Sequence, residues 1–219
     1  MQEDSPLRAS AELLYPGDDL AGQSALCLDW VNTLSWRGKK APSEALTGVD
    51  EWLAWLAEQR ALDAEALSRL RRMGTSDPDE AAAGLARAVA FREALYRTLA
   101  ASVRGEAAPA CDKLEFAGVL NRAMMRLQLV RAESGWSLRL AREPVDWEAP
   151  LYPVALSAAQ LLAGPHASLL RVCQRPECRW LFLDGTKNRS KKWCAMEPCG
   201  NVVKARRSYA RRKARTGQG

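Results

Sequence analysis

Apolar positions in the first 165 residues recur mainly at three- and four-residue intervals, the spacing of one helical face. Ser24 to Trp36 (SALCLDWVNTLSW) is strongly apolar and predicts a first helix, and Arg37 to Gly48 reads as a loop. Asp50 is placed to cap a second helix with Trp52, Trp55 and Leu56 on one face. Leu62, Ala66, Leu67 and Leu70 continue the spacing until a stop near Gly74. Asp77-Pro78-Asp79-Glu80 combines a cap, a first-turn proline and a glutamate at the capping-box position. The helix it starts runs through Leu85, Ala88, Val89, Leu95, Leu99 and Val103 to about Gly105. Asp112 to about Arg126 predicts another. Leu127–Glu133 and Trp136–Arg142 flank Ser134-Gly135 and predict a β-hairpin. Leu151 to Leu162 is rich in alanine and leucine and predicts a last helix, closed by Gly164-Pro165.

The fold expected is therefore mainly α with a small β-hairpin element. Residues 1–20 are polar, with Pro and Gly, and read as a loose lead-in. Residues 21–165 form one mostly helical domain. The tryptophans at helical spacing are expected to fill its core. Residues 166–215 form a separate small module, and Thr216–Gly219 a short disordered tail.

Charge sharpens that division. The chain of 219 residues carries a formal net charge of +6. Arg171 to Arg215 holds 14 Lys/Arg against 3 Asp/Glu, a net +11, while the remainder holds 18 against 23, a net −5. Positive charge concentrated in one terminal module points to a polyanionic partner for that module. No apolar run reaches the length of a membrane span. The N-terminal MQEDSPLRAS has no signal-peptide pattern, so a cytoplasmic location is expected.

A reducing compartment makes clustered cysteines better metal ligands than disulfide partners. Cys27 and Cys111 stand apart, within helical segments, and are expected to be small buried hydrophobes. The other four follow the pattern Cys173-x4-Cys178-x15-Cys194-x4-Cys199. Two close pairs suit one tetrahedral zinc ion, and Pro176 and Pro198 sit where each pair must turn. The interval between the pairs has room for a hairpin: Trp180 to Leu183 outward, a bend at Asp184-Gly185, and Lys192-Trp193 returning. Four sulfur ligands leave no position for an activated water, so the zinc is expected to be structural. Its excess negative charge asks for compensation from Arg175, Arg179, Lys191 and Lys192, or from the amino end of a following helix. Trp180 and Trp193 are expected to pack around the metal.

The four-cysteine segment is expected to form a treble-clef-like or ribbon-like zinc finger followed by a basic helix: NVVKARRSYARRKAR after Cys199 places Lys204, Arg207 and Arg211 on one face, extended by Arg215 and widened by Arg206 and Lys213. Val203 and Ala210 can turn toward the finger. Such a helix suits phosphates, with counterion release as the driving term. Tyr209, Asn188 and Ser190 add hydrogen-bonding groups. It lacks the bulky apolar face of a membrane-surface helix.

The run LLRVCQRPECRWLFLDGTKNRSKKWCAMEPCGNVVKARRSYARRK resembles the CGNR-type zinc finger. LCLDWVNTLSW, AVAFREALYRTL and the helix ending LSAAQLLAG resemble the accompanying ABATE domain. The resemblance implies a bacterial, stress-induced transcription regulator, with a DNA-binding finger and an N-terminal domain that senses a ligand or stress signal. It implies Cys173, Cys178, Cys194 and Cys199 as zinc ligands. It also implies a basic stretch matched here by Lys187, Asn188, Arg189, Lys191 and Lys192, and matches Trp193 to the family's Trp before the third ligand. The family is named for Cys-Gly-Asn-Arg; here Val202 follows Cys199-Gly200-Asn201. Lys204 or Arg206 would have to replace that arginine.

Three functional classes follow. The leading one is a zinc-containing DNA-binding regulator, with phosphate contacts from Arg189, Lys191, Lys192, Lys204, Arg206, Arg207, Arg211 and Arg212. It is compatible with a homodimer on a two-fold operator. The second is RNA or ribosome binding by the same module. The third is a protein-interaction or ligand-binding module with a purely structural finger. No enzyme is expected: His166 is the single histidine, and neither a glycine-rich phosphate loop nor a nucleophile–base pattern is present. Asp29 and Asn32 in the apolar first helix, and Arg92 with Glu93 in the long helix, either line a ligand pocket or satisfy one another.

Overall fold

The structure, a computed structural model, describes residues 25–132, 135–141 and 145–216. The expected lead-in at 1–20 lies outside the described residues.

Helix α1 (Leu26–Val31) is shorter than its apolar run. The chain leaves it at Asn32 and forms β1 (Leu34–Ser35), which pairs antiparallel with β2 (Ser43–Glu44) inside the segment expected to be a loop. Helix α2 (Val49–Glu58) starts at Gly48, so Asp50 lies in its first turn and does not cap it. Helix α3 (Ala64–Ser76) is capped by Asp63, whose side chain accepts from the Ala66 N–H, and it runs past Gly74.

The long helix α4 (Pro78–Arg104) begins as its sequence predicts, with Asp77 accepting from the Glu80 N–H at 3.0 Å. The Asp77 N–H donates to the Met73 carbonyl at 2.9 Å while Glu80 reaches Arg87 at 2.6 Å, so the reciprocal half of the capping box is not made. Gly105 ends the helix at φ 68, a left-handed position that glycine takes at little cost. Gly84 is needed for another reason: a Cβ there would come within 2.7 Å of Trp147. Helix α5 (Ala110–Met125) leads into the hairpin of β3 (Leu127–Ala132) and β4 (Gly135–Leu140), in register Leu127↔Leu140 to Ala132↔Gly135. Helix α6 (Leu151–Ala163) is buried along most of its length and lies against α1 and α5.

The core expected of the tryptophans is present. Trp30 and Trp52 are fully buried, and Trp147 closes over Gly74 and Gly84. Cys27 is buried as expected, but Cys111 is exposed. At the start of α5 the inward position belongs to Asp112, which holds a two-pronged ion pair with Arg97.

After a 3-10 turn (Pro165–Leu169), β5 (Leu170–Val172) pairs antiparallel with β6 (Leu181–Leu183). This corrects the expected hairpin. Strand β6 pairs backward across the first cysteine pair and not with Lys192-Trp193. The hairpin also belongs to the main core, since Leu170, Leu181 and Leu183 are at most 2% exposed and cluster with the helical domain. The last helix, α7 (Asn201–Thr216), packs chiefly on the turn Met196–Gly200 before it.

Candidate metal centre and basic segments

Cys173 and Cys178 leave the tip of the β5–β6 hairpin; Cys194 and Cys199 flank the turn that starts α7. All four Sγ atoms lie within 4.8 Å of one another. Cys178 Sγ is 3.7 Å from Cys194 Sγ, which is 3.8 Å from Cys199 Sγ. A tetrahedron with zinc–sulfur bonds of about 2.3 Å has edges of about 3.8 Å, while a disulfide needs about 2.05 Å. The donor set fits one zinc ion, held as a closed structural site. Cys173, Cys178 and Cys199 are buried, and Cys194 is half-buried.

Proton chemistry agrees. Hydrogen bonds from Cys178 and Cys194 hold the Cys173 thiol down to about 2, helped by the backbone N–H groups of Arg175 and Cys194. The same bonds push Cys178 far up, and Cys194 is pushed up to about 12 chiefly by Cys173. The Cys173 thiolate forms readily while Cys178 and Cys194 resist, and a divalent cation is what lets such neighbours ionise together.

Two of the arginines expected to compensate the sulfurs' charge tie the cysteine turns together. Arg175 is only 8% exposed. It donates to the Pro198 carbonyl at 2.8 Å and to Glu177 at 3.2 Å, joining the two cysteine pairs. Arg179 donates to the Pro176 carbonyl at 3.1 Å and closes the first turn. Phe182, Trp36, Trp180 and Trp193 pack around the sulfurs.

Asp184, fully buried, organises the basic loop that follows. It accepts from the Thr186 N–H and hydroxyl and from the Lys191 N–H. Burial pushes its carboxyl up, but these bonds outweigh burial and hold it below the ordinary range. Lys187, Asn188, Arg189 and Lys192 are therefore displayed on an ordered loop and are exposed, while Lys191 lies over the Phe182 ring at 5.3 Å. Lys204 stands over Trp193 at 5.8 Å, which brings α7 next to this loop. Arg206 is tied to Glu177, whose carboxyl that bond pulls down to about 2. Arg212 is exposed; Arg207 and Arg211 lie on the α7 backbone, but their side chains are outside the described residues. Val202 is half-buried, and both Lys204 and Arg206 nearby are exposed, Arg206 in its ion pair with Glu177.

Of the polar groups expected either to line a ligand pocket or to satisfy one another, Arg92 and Asn32 are held by internal bonds. Arg92, 1% exposed, grips Glu44 through two bonds of 2.6 Å and reaches Thr33 and Glu93 at 2.9 Å. For Glu44, burial pushes the pKa up, but the Arg92 hydrogen bonds and charge outweigh it and the carboxyl ends below its ordinary value. Asn32 donates to the Leu181 carbonyl at 2.8 Å and accepts from the Leu181 N–H at 3.1 Å. Asp29 is half-buried in the first turn of α1.

The sequence did not reveal the loop that grips the finger from the helical domain. Trp36 lies under the Arg175 guanidinium at 4.7 Å, and the Gly38 N–H donates to the Glu177 carbonyl at 3.2 Å. A Cβ on Gly38 would fall 1.9 Å from the Pro176 carbonyl oxygen. Tyr96 donates to the Arg179 carbonyl at 2.9 Å. Gly38 was the only available signal, and loop glycines are common.

Fold and site together define a helical domain joined to a structural four-cysteine zinc finger that carries a basic terminal helix. Residues 24–165 match the ABATE family, described as "Putative stress-induced transcription regulator", and residues 170–212 match the CGNR zinc finger. The chain belongs to the ABATE family. No curated protein matches it. Neither family description names an enzymatic activity. No described helix is long and apolar enough to cross a membrane.

Proposed function

We propose that this protein is a zinc-dependent, DNA-binding transcriptional regulator whose helical domain receives a ligand or stress signal. The observation that carries the reading is the display of cations on an ordered loop beside the four-cysteine site. Lys187, Arg189 and Lys192 stand exposed on the Asp184-organised loop, with Lys204 beside them on α7. Lysine and arginine at such positions neutralise phosphates and release counterions. The family description supports a regulatory role.

RNA binding by the same face is the competing outcome. Base stacking is disfavoured as its basis, because Trp180 and Trp193 are half-buried against the cysteines.

Duplex DNA binding by the zinc-loaded full chain, titrated from low to moderate salt, tests the proposal. About six phosphate contacts predict an affinity loss of roughly a thousandfold between 50 and 200 mM salt. The doubly substituted Cys194→Ser/Cys199→Ser chain should lose most of this binding. A flat salt response, equal binding by the variant, or preferential capture by structured RNA would overturn the reading.

A further inference from the structure

A cleft of about 550 Å³ lies between the helical domain and the finger. Clefts that hold small ligands fall in the range of about 300–1,000 Å³ and favour domain junctions. Helix α4 brings Arg97 and Arg104 to one wall, over the nearly buried Ala100 and Ala101. The hairpin tip brings Arg175 and Arg179 to the other wall, and Glu106 is the acidic residue of the lining.

Three of the four arginines keep donors in reserve. Arg97 uses Nε and Nη2 on the buried Asp112, which leaves Nη1. Arg104 uses Nε on Glu106, and Arg179 uses Nε on the Pro176 carbonyl. Among the described residues, Arg179 has no acidic partner within ion-pair distance. Arg175 is already bound to Glu177 and Pro198 and contributes only its charge. Each of the three is anchored by one edge of its guanidinium, so its remaining edge is oriented before any ligand arrives. Such fixed forks suit phosphate and carboxylate oxygens. Arg97 and Arg104, seven residues apart, stand about 10 Å apart along the helix axis, which favours a ligand with two anionic ends. The recess is too small for a duplex.

We propose that this cleft binds a small polyanion with phosphate or carboxylate groups, gripped by Arg97, Arg104 and Arg179, and that its occupancy sets how the zinc finger sits against α4. The link is direct: Tyr96 on α4 holds the Arg179 carbonyl. The binding site stands by itself, while its regulatory consequence rests on the DNA-binding reading.

Calorimetric titration of the zinc-loaded full chain with inorganic pyrophosphate, and separately with citrate, tests it. One ligand per chain is expected, and tighter binding of one probe assigns phosphate or carboxylate as the preferred group. Arg104→Ala/Arg179→Ala should weaken binding by about tenfold or more, with zinc content and circular dichroism unchanged. Both side chains are exposed, so folding should survive. Glu106→Gln keeps an acceptor for Arg104, removes a negative charge and should tighten binding severalfold. Lys187→Ala/Arg189→Ala should leave pyrophosphate affinity unchanged. Failure to bind either probe, or equal binding by the double variant, overturns the proposal. Loss of DNA affinity in the double variant without probe binding by the parent chain also overturns it, assigning these arginines to the nucleic-acid surface. Pyrophosphate binding without any DNA binding would support the cleft and refute the regulator reading.

Discussion

Replacing Asn32 by alanine tests how the finger is joined to the body. The β5–β6 ladder makes its bonds at Cys173 with Trp180 and at Leu169 with Asp184. By antiparallel alternation, the N–H and C=O of Leu181 face away from β5. The Asn32 carboxamide meets both, at 3.1 and 2.8 Å, in place of a third strand. Leu181 is 1% exposed, so alanine at 32 leaves a buried donor and a buried acceptor unpaired. Each such orphan costs about 1–3 kcal/mol, giving a total of about 2–4 kcal/mol if local adjustment recovers part. For a chain of this size the melting temperature should fall by roughly 5–12 °C. Calorimetry of the zinc-loaded protein measures that fall, and transfer of zinc to a chromogenic chelator should quicken in parallel. Asn32→Leu keeps the volume without the bonds and should fall as far. A melting temperature for Asn32→Ala within about a degree of the parent, or full rescue by leucine, would refute the reasoning.

Gly38→Ala should push the first cysteine turn away from the Trp36 loop, because its Cβ has only 1.9 Å to the Pro176 oxygen; faster zinc loss to a chelator, with helical circular dichroism retained, is the expected signature. Cys199→Ser should take bound zinc, measured by elemental analysis, well below one ion per chain. Chelation of zinc from the parent protein should change tryptophan fluorescence, since Trp36, Trp180 and Trp193 pack on the sulfurs. Glu44, Glu93, Asp112 and Asp184 all titrate below their ordinary values of 4.5 and 3.8. A depressed folded-state pKa gives stability that is full above the ordinary value and is lost as pH falls through the depressed one. Melting temperature should therefore drop as pH falls below about 4.5, and Glu44→Gln should flatten part of that slope.

Much of this organisation was legible because it is local. Helix α4 could be placed from Asp77-Pro78 and Gly105, and the metal site from cysteine spacing. Helix α1 is shorter than its apolar run because such a run does not say where helix yields to extended chain: Thr33 is buried and Leu34 is apolar, and neither marks the break. Asp50 looked like a cap because caps and first-turn acids share composition. The errors that bear on the site are long-range. The sequence marks Asn32 and Arg92 as polar groups needing partners, but the partners lie 149 and 48 residues away. The pairing of β6 with β5 is not legible locally for a similar reason. Phe182 and Leu183 suit either neighbour, and the choice falls to the helical domain, which buries Leu170, Leu181 and Leu183 together.

That hairpin has a consequence for protein engineering. Its tip supplies two zinc ligands and its stem supplies leucines to the other domain's interior. Cutting the chain near residue 165 would strip the body of three interior side chains and leave the excised piece with an apolar strand pair facing water. The finger is thus not a detachable cassette: transplanting it onto another scaffold would require rebuilding the surface that receives its stem, and a truncated body would be expected to aggregate rather than survive as a free-standing domain.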